Sequence, residues 1–144
     1  MKKDKNFKEE FKIEGFNKEK YNEEYYNPDL YFKNENEVVF VEHSSTGDRK
    51  VHIGELCQFV TAKSDLPKSM ILVLDAKGEN PPSSDGEKGR LKYYFESSFK
   101  DSLLENIKFI GVVKNEESIS GLKLEELKEK CKIVYEKKIN FYKN

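Results

Sequence analysis

The feature that most constrains the fold of this chain is an uninterrupted run of five apolar residues at positions 70–74. A strand with one solvated face alternates apolar and polar side chains, whereas a continuous apolar run indicates a strand that is covered on both faces. Residues 107–113 form a second, predominantly apolar segment and predict another buried strand. Two such strands need helices packed on both sides of a sheet, which is the arrangement of an α/β protein.

Aromatic residues and turn formers predict a helix and a hairpin near the start of the chain. Large side chains at steps of four and five between residues 7 and 26 predict a helix, which Gly15 can interrupt. Pro28 ends it, because proline disfavours the helical conformation of the residue before it. Residues 29–33 and 38–42 are rich in β-forming side chains and flank the turn-forming stretch 34–37, so they predict an antiparallel hairpin.

The remaining elements complete the predicted fold class. Further helices are predicted over residues 49–62, around residues 91–99 and over residues 124–130. Residues 132–142 fit either a strand or a helix. We therefore expect an α/β fold with a mixed central sheet flanked by helices.

Length and charge describe one small, heavily charged domain. The chain of 144 residues has the length of a single domain, expected to span residues 1–144, and 37% of its residues are charged. Residues 1–20 contain seven lysines against five acidic residues, and residues 123–144 contain seven lysines against four. Because the net charge is −1, the section between these basic extensions is acidic. The chain lacks the continuous basic stripe of many duplex-binding proteins. The lysines of its two basic ends are also explained by helices whose solvated faces carry mixed lysine and glutamate.

Several classes of protein are disfavoured. No segment approaches the ~20 apolar residues of a membrane-spanning helix, and the charged first residues are not followed by the apolar stretch of a secretory signal. Cys57 and Cys131 are isolated, so we expect free thiols of a reducing compartment rather than a disulfide or zinc framework. The expected location is the cytoplasm, without membrane association.

Two acidic residues are predicted to lie side by side in the hairpin. If the hairpin turns about Glu35 and Asn36, facing residues have numbers that sum to 71, and Asp29 faces Glu42. Neighbouring carboxylates repel each other unless a cation lies between them. Oxygen ligands suit Mg²⁺ or Mn²⁺, so these two acids are predicted to hold such an ion. In the alternative, both acids lie unused at the solvated end of the hairpin, and a shift of one residue in register would separate them.

The order of these features resembles that of a nuclease superfamily. The tripeptide Asn-Pro-Asp at residues 27–29 is followed by a hairpin, the sequence VVFVE at residues 38–42, a helix and an apolar strand. Over about residues 20–115 the chain resembles the PD-(D/E)XK, or restriction-endonuclease-like, phosphodiesterases. The resemblance implies a restriction-endonuclease-like fold and a nuclease that uses Mg²⁺ or Mn²⁺ to act on nucleic acid, with DNA preferred. Asp29 and Glu42 would be its metal ligands and catalytic acids.

One position departs from the superfamily pattern. The pattern has a lysine two residues after the second acid, and this chain has Ser44 there. Serine cannot supply the positive charge that helps to orient or activate the attacking water. Lys50, at the predicted start of the next helix, is the candidate substitute and the third predicted catalytic residue, because superfamily members are known in which a neighbouring element provides this lysine. Otherwise catalysis has been lost.

Polar residues around the second acid are candidates for contacts with the substrate. Four are predicted to bind it: His43, Ser44, Arg49 and Gln58. Arg49 lies beside a helix N-terminus, which favours phosphate, whereas a histidine such as His43 is as readily a hydrogen-bonded core residue. From the resemblance, Glu55 on the next helix and Glu23 or Glu24 before the hairpin are further candidates. No Ser-His-acid arrangement of the hydrolytic type is evident.

Three interpretations are open at this point. The first is the metal-dependent nuclease. The second is a nuclease-like scaffold that has lost catalysis and serves as a nucleic-acid-binding or protein-binding module. The third is an unrelated α/β domain, in which the carboxylates of Asp29 and Glu42 lie more than ~8 Å apart, too far to share a metal. A nuclease of this size would need to form a homodimer to cut both strands of a duplex together.

Overall fold

A mixed six-stranded sheet forms the centre of the protein. The computed structural model describes residues 2–77, 80–99 and 106–137. The strands, in chain order, are β1 Ile13–Glu14, β2 Asn17–Glu19, β3 Leu30–Lys33, β4 Val38–Ser44, β5 Lys68–Leu74, β6 Ile107–Lys114, β7 Leu122–Lys123 and β8 Lys132–Glu136. The sheet order is β2-β3-β4-β5-β6-β8, in which β4, β5 and β6 are parallel and the other neighbours are antiparallel. β1 and β7 form a separate parallel pair.

Helices cover both faces of this sheet. The helices are α1 Lys2–Glu10, α2 Arg49–Thr61, α3 Ser84–Ser98 and α4 Leu124–Glu129, with a 3₁₀ turn at Glu117–Ile119. Apolar side chains of α1 and α4 share one buried cluster with Val39 and Val41 of β4. Those of α2 and α3 share a second cluster with Val38 and Phe40, on the other face of the same strand. The predicted α/β class, with a mixed sheet between helices, is confirmed.

The apolar run at residues 70–74 lies in the middle of the sheet. β5 contains it, pairs with a parallel strand on each side, and is buried at every residue. The second predicted interior strand, residues 107–113, corresponds to β6. Both strands lack a solvated face because a helical layer covers each side, which explains why their sequences do not alternate.

The predicted helix over residues 7–26 is wrong after its first residues. α1 ends at Glu10 and is followed by the short strands β1 and β2. Gly15 turns the chain between these strands with a φ of 86°, a left-handed conformation that glycine adopts without strain. Phe11 packs in the cluster on one face of the sheet, whereas Tyr21 packs against the cluster on the other face. The helix-like spacing of the aromatic residues therefore comes from side chains that serve different layers.

The other predicted helices are confirmed, with differences at individual residues. α2 begins after Asp48, whose side chain accepts a hydrogen bond from the backbone N–H of the second helical residue. Cys57 of α2 is exposed, although its place among the apolar residues of this helix predicts a core position. α3 begins earlier than its apolar residues indicate because Ser83 caps it; its apolar face is formed by Leu91 and Phe95, whereas Tyr94 is 41% exposed.

The C-terminal segment resolves one open alternative. Within residues 132–142, the part Lys132–Glu136 is a strand, β8, which pairs with β6 at one edge of the sheet. Residues 138–142 lie outside the described residues. Both cysteines are free, as predicted. Across the described ranges, no helix has the length and apolar character that a bilayer crossing demands.

Gly111 of β6 occupies a position that has no room for a side chain. A methyl group built there would lie 2.5 Å from the ring of Phe109 and 2.8 Å from Cβ of Cys131. We expect Gly111→Ala to lower the free energy of unfolding by about 1–3 kcal/mol, because both neighbours are buried. Urea unfolding checks this, with Gly54→Ala as the control. A methyl group at Gly54 meets nothing within 4 Å, so that helical substitution should raise stability by up to about 1 kcal/mol. Unfolding midpoints shifted in the same direction by both variants would contradict the steric argument.

Candidate metal centre

The hairpin of β3 and β4 has the register that the sequence predicts. Leu30 pairs with Val41, so the numbers of facing residues sum to 71. Asp29, directly before β3, lies opposite Glu42, and its backbone N–H donates to Oε1 of Glu42 at 3.1 Å. The two acids are therefore neighbours because the turn fixes the pairing of the strands.

Glu42 is the buried acid of this pair. Its residue is only 3% exposed, and the hydroxyl of Tyr26 donates to its Oε2 at 2.7 Å. Burial raises the pKa of Glu42 to about 7; the Tyr26 hydrogen bond opposes this shift, and the charge of Asp29 adds to it. Burial also raises the pKa of Tyr26, so its phenol keeps its proton and donates. Glu42 is thus a carboxylate held in place by donors but costly to ionise.

A third carboxylate, that of Glu55, reaches the same place from α2. Each of Asp29, Glu42 and Glu55 offers one carboxylate oxygen, and these oxygens all lie within 4.8 Å of one another. Oε1 of Glu55 is buried and has no hydrogen-bond partner among the described residues. Burial, and then the charges of Glu42 and Asp29, raise the pKa of Glu55 to about 8. The carboxylates of Asp29 and Glu42 are therefore close enough to share an ion, and they do not have the separation of more than ~8 Å that the third interpretation expects.

Asp29 joins this cluster to two other parts of the fold. Its Oδ2 accepts a hydrogen bond of 2.7 Å from the backbone N–H of His43. Its Oδ1 lies 3.4 Å from Nζ of Lys8, on α1. A cation therefore lies beside the acids, and it comes from the first helix rather than from the start of α2.

The three acids suit a divalent cation. Carboxylate oxygens are ligands that Mg²⁺ and Mn²⁺ prefer, and the unpartnered oxygen of Glu55 is available to one. Opposite ligands of Mg²⁺ lie about 4.2 Å apart, given bonds of ~2.1 Å. The largest separation of 4.8 Å allowed here would therefore need to close by about 0.6 Å, a movement within reach of side-chain rotation.

The predicted substitute Lys50 is not brought to the acids. It is exposed at the start of α2, where its backbone N–H donates to Oδ1 of Asp48. Arg49, its neighbour, has its Nε 3.4 Å from Oε1 of Glu87 on α3. The side chains at this helix start therefore lie apart from the acidic cluster, which faces a later turn of α2.

His43, predicted to bind substrate, lies on the opposite face of β4 from Glu42. Its side chain is fully buried, and its ring stacks on that of Phe7 with 4.2 Å between centroids. Nε2 of His43 lies 2.9 Å from Oδ2 of Asp75, which also accepts a hydrogen bond from Asn115. The imidazole is therefore a hydrogen-bonded core group, and only its backbone N–H reaches the cluster.

The side chain of Ser44 begins a buried series of hydrogen-bonded side chains that the sequence did not suggest. Its Oγ lies 2.6 Å from Nε2 of His52, and Nδ1 of His52 lies 3.0 Å from Oε2 of Glu87. This is the order of groups in a Ser-His-acid arrangement. Ser44 is only 4% exposed, and both partners are buried. The hydroxyl is therefore hidden from solvent, which suits a structural link better than a nucleophile.

The remaining candidates lie at the surface. Gln58 is exposed on the outer side of α2, and Glu23 and Glu24 are exposed before the hairpin. Of the additional acids considered, only Glu55 reaches the cluster.

The sequence analysis did not identify two residues that contact the acidic cluster, Lys8 and Tyr26. Phe7 of α1 and Phe11, directly after that helix, pack in the cluster on one face of the sheet, and Lys8 follows Phe7, so a short helix on this face is the signal that could have suggested Lys8. Tyr26 carries no comparable signal, because its bond to Glu42 spans a loop of irregular structure.

Comparison with known proteins provides no assignment, since no protein-family model, curated protein or solved structure matches this chain.

Proposed function

We propose that this protein is a metal-dependent phosphodiesterase, endonuclease-like, that acts on nucleic acid. The observation that carries the proposal is the convergence of Asp29, Glu42 and Glu55, whose carboxylate oxygens lie within 4.8 Å of one another. Asp29 and Glu42 are the metal ligands of this proposal, Glu55 is the third, and the ion is Mg²⁺ or Mn²⁺.

The connectivity of the sheet supports a restriction-endonuclease-like fold as part of the proposal. β2, β3 and β4 form an antiparallel meander, and α2 then crosses over to the parallel strand β5. The acids lie where β3 begins and near the end of β4, at one edge of this unit. The resemblance seen in the sequence implies this arrangement of acids and strands.

Each residue has a role in the proposed reaction. When bound, the divalent ion would lower the pKa of a coordinated water and polarise the scissile phosphate. Tyr26 and the backbone of Asp29 hold the carboxylate of Glu42, and the backbone of His43 holds that of Asp29. Lys8 replaces Lys50 as the cation that stabilises charge developing on the phosphate, because its Nζ is already 3.4 Å from Asp29.

DNA is the substrate that the resemblance favours, and cleavage of both strands together would use a homodimer. A cytoplasmic location belongs to the same proposal, since both thiols are free.

A scaffold without catalysis is the second candidate, and one observation favours it. Ser44 stands where the superfamily pattern has its lysine, and its hydroxyl is buried against His52. In this case the fold would bind nucleic acid or protein without cutting.

Cleavage assays test the proposal. Plasmid and single-stranded DNA are incubated with the wild type and variants in Mg²⁺ or Mn²⁺. Glu42→Ala should abolish cleavage because it removes a metal ligand, and Lys8→Met should lower the rate of cleavage by about 100-fold or more because it removes the positive charge that stabilises the transition state. Lys50→Met, exposed at the start of α2, should cut like the wild type.

Calorimetric titration with Mn²⁺ separates the outcomes. Binding by the wild type with loss in Glu42→Ala supports the metal centre. No binding of Mn²⁺ favours the scaffold, and so does binding without cleavage. Equal residual cleavage by the wild type and Glu42→Ala would show a contaminant or a misassigned site and would overturn the proposal.

A further inference from the structure

Two arginines from different helices converge on one buried carboxylate. Glu87 of α3 has a side chain that is 1% exposed, and its Oε1 lies 3.4 Å from Nε of Arg49 and 3.5 Å from Nε of Arg90. The arginine side chains are 43% and 41% exposed, so each guanidinium extends from the buried contact to the surface. A guanidinium has five N–H donors, so the Nε contact leaves each arginine with donors for another acceptor.

One carboxylate, that of Glu87, faces two guanidinium groups. Oε1 of Glu87 faces both guanidinium groups, and its Oε2 lies against Nδ1 of His52. Of the other nearby carboxylates, Asp48 caps α2, and Asp85 lies 3.6 Å from Nζ of Lys132. One buried carboxylate therefore orients two cations without neutralising both, and an anion is the ligand that such a pair attracts.

The arginine pair is tied to the strand that carries Glu42. Oε2 of Glu87 lies within hydrogen-bond distance of Nδ1 of His52, at 3.0 Å. Nε2 of His52 lies in turn 2.6 Å from Oγ of Ser44. Ser44 lies two residues beyond Glu42 on the same face of β4, a separation of about 7 Å along a strand. An anion held by the arginines would therefore lie at the same edge of the sheet as the acids.

We propose that Arg49 and Arg90 clamp a backbone phosphate of the nucleic acid on the same face of the sheet as the metal ligands. Glu87 is the positioning residue that holds the two guanidinium groups in place. This inference rests on the proposed function, because it takes its ligand from the same substrate. A phosphate within a polymer fits better than a free one, since the two half-exposed groups offer an open surface rather than an enclosed pocket.

The salt dependence of binding tests the clamp. Anisotropy of a short fluorescent duplex in EDTA gives association constants over a series of salt concentrations. Arg49→Gln and Arg90→Gln should each make the slope of log K against log salt less steep by up to about 1, because both groups act on the same phosphate and the loss of either opens the clamp. Arg90→Lys keeps the charge and should keep the slope. Lys130→Gln removes the same charge at an exposed position after α4, which packs on the opposite face of the sheet, and should leave the slope unchanged.

The outcomes separate this inference from the proposed function. If the wild type binds and both arginine variants keep its slope, the clamp is overturned and the nuclease proposal stands. If the wild type binds no nucleic acid with EDTA or with Mn²⁺, both are overturned. Displacement of the duplex by inorganic phosphate at an equal concentration of phosphate groups would identify a free anion as the ligand and would also overturn the clamp.

Discussion

Replacing Glu55 with glutamine is expected to stabilise the metal-free protein at about pH 8 by a few kcal/mol and to weaken its binding of Mn²⁺. Oε1 of Glu55 is buried without a hydrogen-bond partner among the described residues, and the carboxylates of Asp29 and Glu42 lie beside it. Burial raises the pKa of Glu55 from 4.5 to about 8. Glutamine has the shape of the protonated acid and no charge, so it removes the cost of ionising this group.

The direction of the pH dependence follows from the raised pKa values. Between 4.5 and about 8 the folded state holds a proton on Glu55 that the unfolded state has released. The stability of the wild type therefore falls as the pH rises through this window, and Glu42, with a pKa of about 7, adds to the fall. Below 4.5 the wild type and Glu55→Gln should be almost equally stable, because both are then uncharged at this position.

Urea unfolding at several pH values in EDTA measures this effect. Glu96→Gln, which removes an exposed carboxylate of α3, is the matched control and should follow the wild type. Added Mn²⁺ should raise the stability of the wild type more than that of Glu55→Gln, because a ligand of the folded state stabilises it by mass action. A Glu55→Gln protein with the pH profile of the wild type would contradict the assignment of Glu55 to a strained acidic cluster.

Lys68→Met is expected to lower the free energy of unfolding by about 3–4 kcal/mol. Lys68 is buried in β5, and its Nζ donates to the carbonyl oxygens of Phe59, Val60 and Ala62 at 2.7, 3.0 and 2.5 Å. These carbonyls lie at the C-terminal end of α2, where the last carbonyl oxygens of a helix have no backbone N–H of the same helix to accept from. Methionine fills a similar volume but donates no hydrogen bond, so it would leave the carbonyls short of partners.

Chemical unfolding at about pH 6 checks the Lys68 prediction, because burial lowers the pKa of this lysine to about 8 and it is charged there. Lys63→Met, at an exposed position nearby, is the control and should change stability by less than about 0.5 kcal/mol. Similar losses in the two variants would mean that the hydrogen bonds to α2 contribute little.

Local patterns predicted four strands of the six-stranded sheet, β3 to β6, and the adjacency of the acids. The hairpin register follows from strand composition and a short turn, and both lie within residues 29–42. That register alone places Asp29 beside Glu42. The buried strands at residues 70–74 and 107–113 were likewise evident, because a short, continuous apolar run bounded by polar residues is typical of a strand covered on both faces.

Contacts between distant segments could not be predicted in the same way. Lys8 reaches Asp29 from another layer, so its position depends on where α1 ends and how it packs. Glu87 meets His52 across two helices, and no local periodicity signals that contact. The false helix over residues 7–26 has the same cause, since aromatic spacing alone does not show which layer each ring enters.

The stacking of Phe7 on His43 connects α1 to the acidic cluster. Random mutagenesis can detect this connection as a loss of activity. The ring of His43 supports α1, and its backbone N–H holds Oδ2 of Asp29. Substitutions at Phe7 would loosen this support without touching a phosphate or an ion. Inactive clones from random mutagenesis should therefore map to one side of a short amphipathic helix as well as to the acids themselves.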